Sequence, residues 1–202
     1  MDIEFLVEEV SAEAALRLLV RKIIGASHQV HFRPFQGKPN LLASLPSRLA
    51  GYRGRRPGDW RVIVLVDEDR GDCRRLKDCL EQAARRAGLV TRSAARDGSF
   101  QVLTRIAVEE LEAWFFGDVA AISQAFPRVP QSLGQQRGFR GPDAIRGGTW
   151  EALERVLQDA GYYPAGIAKR EAAQRISQYM DPDCNRSRSF RAFRDALREM
   201  VA

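Results

Sequence analysis

Cysteine and histidine are scarce in this chain, and their scarcity argues against two kinds of site. The 202 residues contain three cysteines, at positions 73, 79 and 184, and two histidines, His28 and His31. An odd number of cysteines without a C-x-x-C pair argues against a disulfide framework and against a zinc knuckle. Two histidines that share a predicted strand give no histidine-rich metal site. A metal that binds here is therefore expected to use oxygen ligands.

Lysine is also rare, whereas arginine is abundant. Only four of the 32 basic residues are lysines, and the formal net charge is +6. A planar guanidinium matches the geometry of phosphate, so the arginine surplus is compatible with a nucleic-acid partner. An arginine-biased genome and a solvated surface explain the same composition equally well. Composition therefore permits a nucleic-acid partner without requiring one.

Long apolar runs and leader-like features are absent as well. No apolar segment is long enough to span a bilayer, and the acidic amino terminus enters a predicted strand at once, unlike a signal peptide. We therefore expect a cytoplasmic protein. No Walker motif occurs, so any use of ATP would come from a partner protein.

The strongest signal in the sequence is a short apolar run that ends in carboxylates. The run Val-Ile-Val-Leu-Val at 62–66 is followed by Asp67, Glu68 and Asp69. Such a run is typical of a strand buried on both faces in a parallel sheet that helices cover. Asp67 and Asp69 then lie just past the carboxyl end of a central strand, where open α/β sheets bind ligands. Because neighbouring carboxylates repel each other, their spacing suggests a divalent cation.

Strands and helices alternate through about the first 110 residues, which predicts an α/β fold. Right-handed crossovers would join the strands into a parallel sheet flanked by helices. In the third helix, Asp72 is the expected cap, and Cys73 and Cys79 are expected to be small buried apolar residues. The predicted strands cover residues 2–7, 28–35, 61–66 and 100–108.

The character of the chain changes at about Pro127. The stretch to Gly148 is rich in proline, glycine, glutamine and arginine, and it predicts a long loop or a partly ordered basic arm. Helical patterns follow, over residues 150–160, 167–180 and 187–201. We predict an α/β domain over residues 1–126, and over 127–202 a basic loop and helical carboxyl-terminal extension packed on the same domain.

A third carboxylate, Glu8, follows the first predicted strand. If the first and third strands are neighbours, Glu8 faces Asp67 and Asp69 across a switch point. Such a set can bind Mg²⁺ or Mn²⁺, or Glu8 can stay off the metal as a general acid or base. Lys38 lies beyond the second strand, where it either steadies a phosphate or is a solvated turn residue.

Two known arrangements of acids do not fit this order. A response-regulator receiver needs a lysine after its last strand, where this chain has Glu109 and Glu110. A haloacid-dehalogenase-type phosphatase carries its D-x-D on the first strand rather than the third. The order found here resembles instead the Toprim domain of topoisomerases, bacterial primases and OLD-type nucleases. Residues 6–14, LVEEVSAEA, are similar to its first motif, L-V-E-G-x-[ST]-[DE], and residues 64–69, VLVDED, are similar to its hhhD-x-D motif.

A wider set of motifs resembles one uncharacterised bacterial Toprim-like family. Its members are often encoded beside ABC-type ATPases in what look like mobile-element defence loci. The likeness covers most of the chain and rests on the order of several short motifs. These motifs are Gly37-Lys38 and residues 67–73, 110–114 and 185–190.

The resemblance implies a metal-dependent centre that cleaves or transfers phosphodiesters. Glu8 would serve as general acid or base or as a metal ligand, and Asp67 and Asp69 would bind Mg²⁺. Glu112 would complete a second metal site. Four arginines, at positions 186, 188, 191 and 194, bracket Phe190 and Phe193 in the last predicted helix, where they either bind phosphates or remain solvated. The basic residues assigned to substrate are Lys38, Arg70, Arg186 and Arg188.

The chain also departs from the Toprim pattern. Glu9 replaces the usual glycine after the key glutamate, and Ala12 stands where an acid is common. The lost glycine favours a non-catalytic Toprim-like subunit that binds nucleic acid or a partner ATPase. Retention of the core acids favours a Mg²⁺-dependent nuclease, the effector of a bacterial anti-phage defence system. The sequence is therefore consistent with both hypotheses.

Overall fold

The computed structural model describes residues 1–55, 60–69, 71–96 and 98–202. Within these residues, no helix is both long and apolar enough to cross a membrane. The strands are β1 (Asp2–Val7), β2 (Gln29–Pro34), β3 (Trp60–Asp67) and β4 (Val102–Ala107). The helices are α1 (Val10–Ile24), α2 (Lys38–Ala50), α3 (Cys73–Arg86), α4 (Glu112–Phe116), α5 (Val119–Ala125), α6 (Thr149–Asp159), α7 (Lys169–Tyr179) and α8 (Arg188–Val201).

The four strands form one parallel sheet in the order β2-β1-β3-β4. The predicted fold class is therefore confirmed: a parallel sheet flanked by helices, with further helices at the carboxyl terminus. In the pairing of β1 with β3, Val7 lies opposite Leu65. Because β1 ends at Val7 while β3 continues to Asp67, the residue after β1 lies beside the last residues of β3.

The chain divides into two units, which we call the sheet unit and the helical unit. The sheet unit comprises residues 1–13 and 26–106, and the helical unit comprises residues 14–25 and 107–202. All four strands start in the sheet unit, together with α2 and α3. The predicted division at residue 126 stays a prediction.

The core of the sheet unit is built from the two central strands and the helices α2 and α3. Leu6 of β1 and Val62, Val64 and Val66 of β3 are buried in it. Burial of each such side chain contributes roughly 1.5–3 kcal/mol, so the apolar runs that predicted these strands also account for much of the driving force that forms the sheet. The helices α2 and α3 add Leu41, Leu45, Leu49, Leu80, Ala83 and Ala84 to this core.

The predicted burial of the two cysteines in α3 is wrong. Cys79 is exposed and Cys73 is half-buried. The buried face of α3 is formed by Leu80, Glu81, Ala83 and Ala84. Because successive helix residues are about 100° apart, the buried face runs from Ala83 through Leu80 to Glu81, and Cys79 lies outside it.

The helical unit packs around Trp114 of α4. Its ring contacts Phe190 and Phe193 of α8 at centroid distances of 5.2 and 5.0 Å, and its Nε1 donates to Ser189 Oγ at 2.9 Å. The three helices predicted after residue 149 are confirmed as α6, α7 and α8. The predicted long loop between α5 and α6 is also confirmed, and it contains two short 3-10 helices, Gln131–Gln135 and Pro142–Ala144.

Candidate active site at the carboxyl ends of β1 and β3

The predicted neighbourhood of Glu8 and the Asp67 turn is present in the sheet unit. Glu8 is half-buried, and its Oε1 accepts a hydrogen bond from the backbone N–H of Asp67 at 2.8 Å. The contact follows from the register of β1 and β3, which sets Val7 opposite Leu65. The carboxylate after the first strand is thus tied to the end of the third.

The environment of Glu8 makes its carboxyl group hard to ionise. Burial raises the pKa of Glu8 from its usual 4.5 to about 7. The hydrogen bond from Asp67 and the charge of Lys38 lower this pKa, whereas the charges of Asp69 and Glu9 raise it further. Burial is the largest of these effects, so Glu8 has a pKa suited to taking up or releasing a proton near neutral pH.

Lys38 is brought to the same place by the turn after β2. Gly37 has a φ of +84°, a conformation that favours glycine, and its N–H donates to the backbone oxygen of Glu8 at 2.9 Å. Lys38 then begins α2. Its Nζ lies 2.6 Å from Oδ2 of Asp69, and only 17% of its side chain is exposed, against 55% for Asp69. Lys38 is therefore an ion-pair partner of Asp69 rather than a solvated turn residue.

The turn that follows β3 holds Asp69 in an unusual backbone conformation. Asp69 has a φ of +54°, which is uncommon for residues other than glycine and occurs mainly with Asn and Asp. Two residues later Gly71 donates to the backbone oxygen of Glu68 at 3.2 Å. Asp72 then caps α3 by accepting from the N–H groups of Arg74 and Arg75, as predicted. Hydrogen bonds therefore fix the chain on both sides of Asp69, at Asp67 and at Asp72.

The substitution of glycine by Glu9 does not strain the first turn. Glu9 is not among the non-glycine residues that the structure describes with a positive φ. Its carboxylate accepts from Ser11 Oγ at 2.7 Å, at the start of α1. The turn after β1 therefore does not need a glycine at this position.

Other predicted site residues belong to the helical unit. Glu112 is buried at the start of α4, and Arg186 and Arg188 are exposed at the start of α8. Of the acids that precede α4, Glu110 accepts from Thr149 Oγ1 and from the Trp150 N–H, so it holds the start of α6. The structure thus brings together Glu8, Lys38, Asp67 and Asp69, while Arg70 lies outside the described residues.

The donor chemistry of this site fits a hard divalent cation with few protein ligands. In the described residues, no group of three or more His, Cys, Asp or Glu side chains is arranged to hold a metal ion. Mg²⁺ usually keeps several waters and binds through one or two carboxylates together with substrate phosphates. Asp67 and Asp69 are carboxylates of that kind, and a cation that binds Asp69 would take the place of the Lys38 ammonium group that pairs with it.

The raised pKa of Glu8 predicts that stability depends on pH in a specific direction. The native state binds the Glu8 proton more tightly than the unfolded chain does, so this stabilisation is complete below pH 4.5 and is lost as the pH rises through about 7. After allowance for the partial exposure of Glu8, we expect the free energy of unfolding to fall by about 1–2 kcal/mol over this range.

Urea unfolding of the metal-free protein at several pH values measures this effect. The Glu8→Gln variant is the reference, because its amide oxygen still accepts the Asp67 N–H but does not titrate. The difference between the two proteins should therefore change with pH as stated. If the free energies of unfolding of the wild type and the variant change with pH in parallel, the raised pKa of Glu8 is contradicted.

Comparison with protein families adds one match. A family model described as a domain of unknown function, DUF4276, matches residues 7–198. The matched range begins at the last residue of β1 and ends within α8, so it includes every residue of the site in the sheet unit. Neither the curated proteins nor the solved structures contain a match to the chain.

Proposed function

The chain belongs to the DUF4276 family of domains of unknown function, and from its candidate site we propose that it is a metal-dependent nuclease of the Toprim type. One observation carries the proposal. Glu8, tied to the Asp67 backbone, and Lys38, paired with Asp69, meet at the carboxyl ends of two neighbouring parallel strands. Ligands of open α/β sheets bind at this edge, and acids with a single lysine suit a phosphodiester substrate.

Each residue of the site has a proposed task in phosphodiester hydrolysis. Asp67 and Asp69 hold Mg²⁺ or Mn²⁺, which supplies Lewis-acid stabilisation of charge on the phosphoryl oxygens when it is bound. Lys38 contacts a non-bridging phosphate oxygen by turning its ammonium group from Asp69 toward the substrate. Glu8 moves the proton of the attacking water or of the leaving oxygen, a task that its pKa of about 7 suits.

The remaining assignments rest on the resemblance to Toprim proteins. Glu112 would belong to a second metal site, and Arg70, Arg186 and Arg188 would contact the substrate. By the same resemblance, the protein would act in the bacterial cytoplasm as the effector of an anti-phage defence system with an ABC- or AAA-type ATPase partner. These assignments remain part of the proposal.

The ion pair between Lys38 and Asp69 also favours a second candidate function. An ammonium group at 2.6 Å already neutralises one of the two acids, as expected if the cluster is structural. The protein would then be a non-catalytic Toprim-like subunit that binds nucleic acid or its ATPase. The two candidates differ in whether a divalent cation binds the site.

The test combines cleavage with metal-dependent stability. The purified protein is incubated with plasmid DNA, single-stranded DNA and total RNA in Mg²⁺, in Mn²⁺ or in EDTA. We expect cleavage of at least one substrate in a divalent cation and none in EDTA. Thermal unfolding in the same buffers is expected to show a higher Tm with Mn²⁺ or Mg²⁺, because an ion that binds only the native state stabilises it.

The outcomes separate the two candidates. Cleavage with metal-dependent stabilisation supports the nuclease and identifies its substrate class. Metal-dependent stabilisation without cleavage indicates an enzyme that is latent until a partner joins. If the protein shows no cleavage and no metal-dependent stabilisation, the nuclease proposal is contradicted and the binding subunit is supported.

A further inference from the structure

A second surface of interest lies in the helical unit, where three adjoining clefts are lined by arginines. The first cleft has a volume of about 560 Å³, the second about 330 Å³ and the third about 520 Å³. The first and second share Phe139, Ala152 and Arg155 in their walls, and the first and third share Ala144. We call this continuous surface the arginine face. Its arginines are Arg128, Arg137, Arg140, Arg146, Arg155, Arg186, Arg188 and Arg191.

The arginine face has a large excess of positive charge. Of the residues that the structure describes, only two carboxylates, Asp143 and Asp159, line the same three clefts. Asp159 is exposed, and the eight arginines are exposed as well. Eight guanidinium groups around clefts with two acids create a field that attracts a polyanion.

The carboxylate of Asp143 is already occupied by neutral donors. Its Oδ1 accepts from Ser187 Oγ at 2.7 Å and from Ser189 Oγ at 2.9 Å, and its Oδ2 accepts from the Arg188 N–H at 2.6 Å. These bonds hold the loop between α5 and α6 against the start of α8. The acid therefore serves to shape the surface, and the bonds that it accepts come from hydroxyl and backbone donors.

An aromatic ring stands between two of the clefts. Phe139 is half-buried and lines both the first and the second cleft. One side of its ring stacks on the fully buried Phe116, at a centroid distance of 5.1 Å and an interplanar angle of 22°. A supported aromatic ring within an arginine-lined groove is the arrangement on which unpaired bases stack.

We propose that the arginine face binds single-stranded nucleic acid, with the arginines on the phosphates and Phe139 against a base. This inference deepens the proposed function, because it assigns the substrate class and the surface that holds it. Guanidinium groups match phosphates in a bidentate way, and the apolar ring gives a nucleobase a contact that an acidic peptide would not use.

Binding is measured by fluorescence anisotropy of labelled single-stranded and duplex oligonucleotides of equal length in EDTA, over a range of salt. The test variant is Arg137→Ala/Arg146→Ala/Arg155→Ala, which empties the first cleft of guanidinium groups. The control is Arg21→Ala/Arg85→Ala/Arg170→Ala, which removes three exposed arginines that do not line the clefts. The control and the test variant therefore have the same net charge.

We expect the test variant to bind the single strand at least about tenfold more weakly than the control at low salt. If the three arginines each contact a phosphate, the slope of log K against log salt should fall by about 2. The Phe139→Leu variant should lose about fivefold or more for the single strand and little for the duplex. Polyglutamate, added as a competing polyanion, should displace the oligonucleotide poorly.

Three results would overturn this proposal: equal affinities for the two triple variants, tighter binding of the duplex than of the single strand, and displacement by polyglutamate as effective as by unlabelled oligonucleotide. Because the measurement is made in EDTA, it does not depend on cleavage. Binding without any nuclease activity would support the arginine face as a binding surface and reject the proposed catalysis. Cleavage at the same rate by the wild type and the test variant would support the catalysis and reject the arginine face as the substrate-binding surface.

Discussion

The Asp67→Asn/Asp69→Asn variant is expected to cleave at least about 10³-fold more slowly than the wild type under single-turnover conditions with Mg²⁺. The two carboxylates are the proposed holders of the cation, and the loss of its charge stabilisation is worth several kcal/mol in such reactions. Asparagine keeps the size of the side chain and the turn after β3, where Asp69 has a φ of +54° that Asn also tolerates. The fold should therefore persist while the chemistry is lost.

The control is Asp78→Asn, which removes an exposed carboxylate from α3 in the same unit. It should cleave at the wild-type rate. The double variant should also lose the metal-dependent rise in Tm, and its unfolding free energy without metal should change by no more than about 1 kcal/mol, because the Lys38–Asp69 pair is partly exposed. Cleavage by the double variant at the wild-type rate would show that these acids are not the catalytic centre.

The Gly117→Ala variant is expected to lower the free energy of unfolding by about 3 kcal/mol. Gly117 ends α4 with an ordinary φ of −64°, so its absence of a side chain matters only for space. A Cβ there would overlap Oδ1 of Asn185 and would lie 2.8 Å from its Cγ and 2.9 Å from the Ser187 N. Asn185 is buried and bonds the Trp114 oxygen and the Ser187 N–H, so it has no free room to move. Overpacking and the loss of these bonds together give the expected cost.

Urea unfolding with Gly138→Ala as the control measures this effect. A Cβ on Gly138 meets nothing within 4 Å, so that variant should lie within about 0.5 kcal/mol of the wild type. In a cycle with Asn185→Ala, the double variant should be less destabilised than the sum of the two single changes, since the Asn185 side chain is the main obstacle. A loss below about 1 kcal/mol for Gly117→Ala, or strict additivity, would contradict this account.

Local patterns in the sequence are sufficient to predict most of the fold. The apolar run before Asp67 predicts a buried strand because a parallel strand covered on both faces does not accommodate polar side chains there. Asp72 is recognisable as a cap since its carboxylate bonds the first N–H groups of α3, three residues away at most. The strands β1 to β4 and the last three helices are predicted to within two residues at most of their ends.

Contacts between distant residues need the tertiary structure. The approach of Lys38 to Asp69 joins residues 31 positions apart, and the bond from the Asp67 N–H to Glu8 joins residues 59 apart. The sequence suggests that Glu8 and the two aspartates meet, but it does not pair the lysine with Asp69. It also predicts that Cys79 is buried, because Cys79 shares an apolar stripe of the helix with Leu80 and Ala83. The structure exposes Cys79, since the side of α3 that packs on the sheet is set by tertiary contacts.

The sequence by itself therefore determined the α/β alternation, the parallel strands and the acids that follow them, because each depends on hydrophobic periodicity and on the end of a single strand. Only the tertiary structure decided the protonation behaviour of Glu8, the ion pair of Lys38 and the grouping of eight arginines on one face of the helical unit. These properties arise from burial and from charges that are remote along the chain, and neither can be read from local pattern.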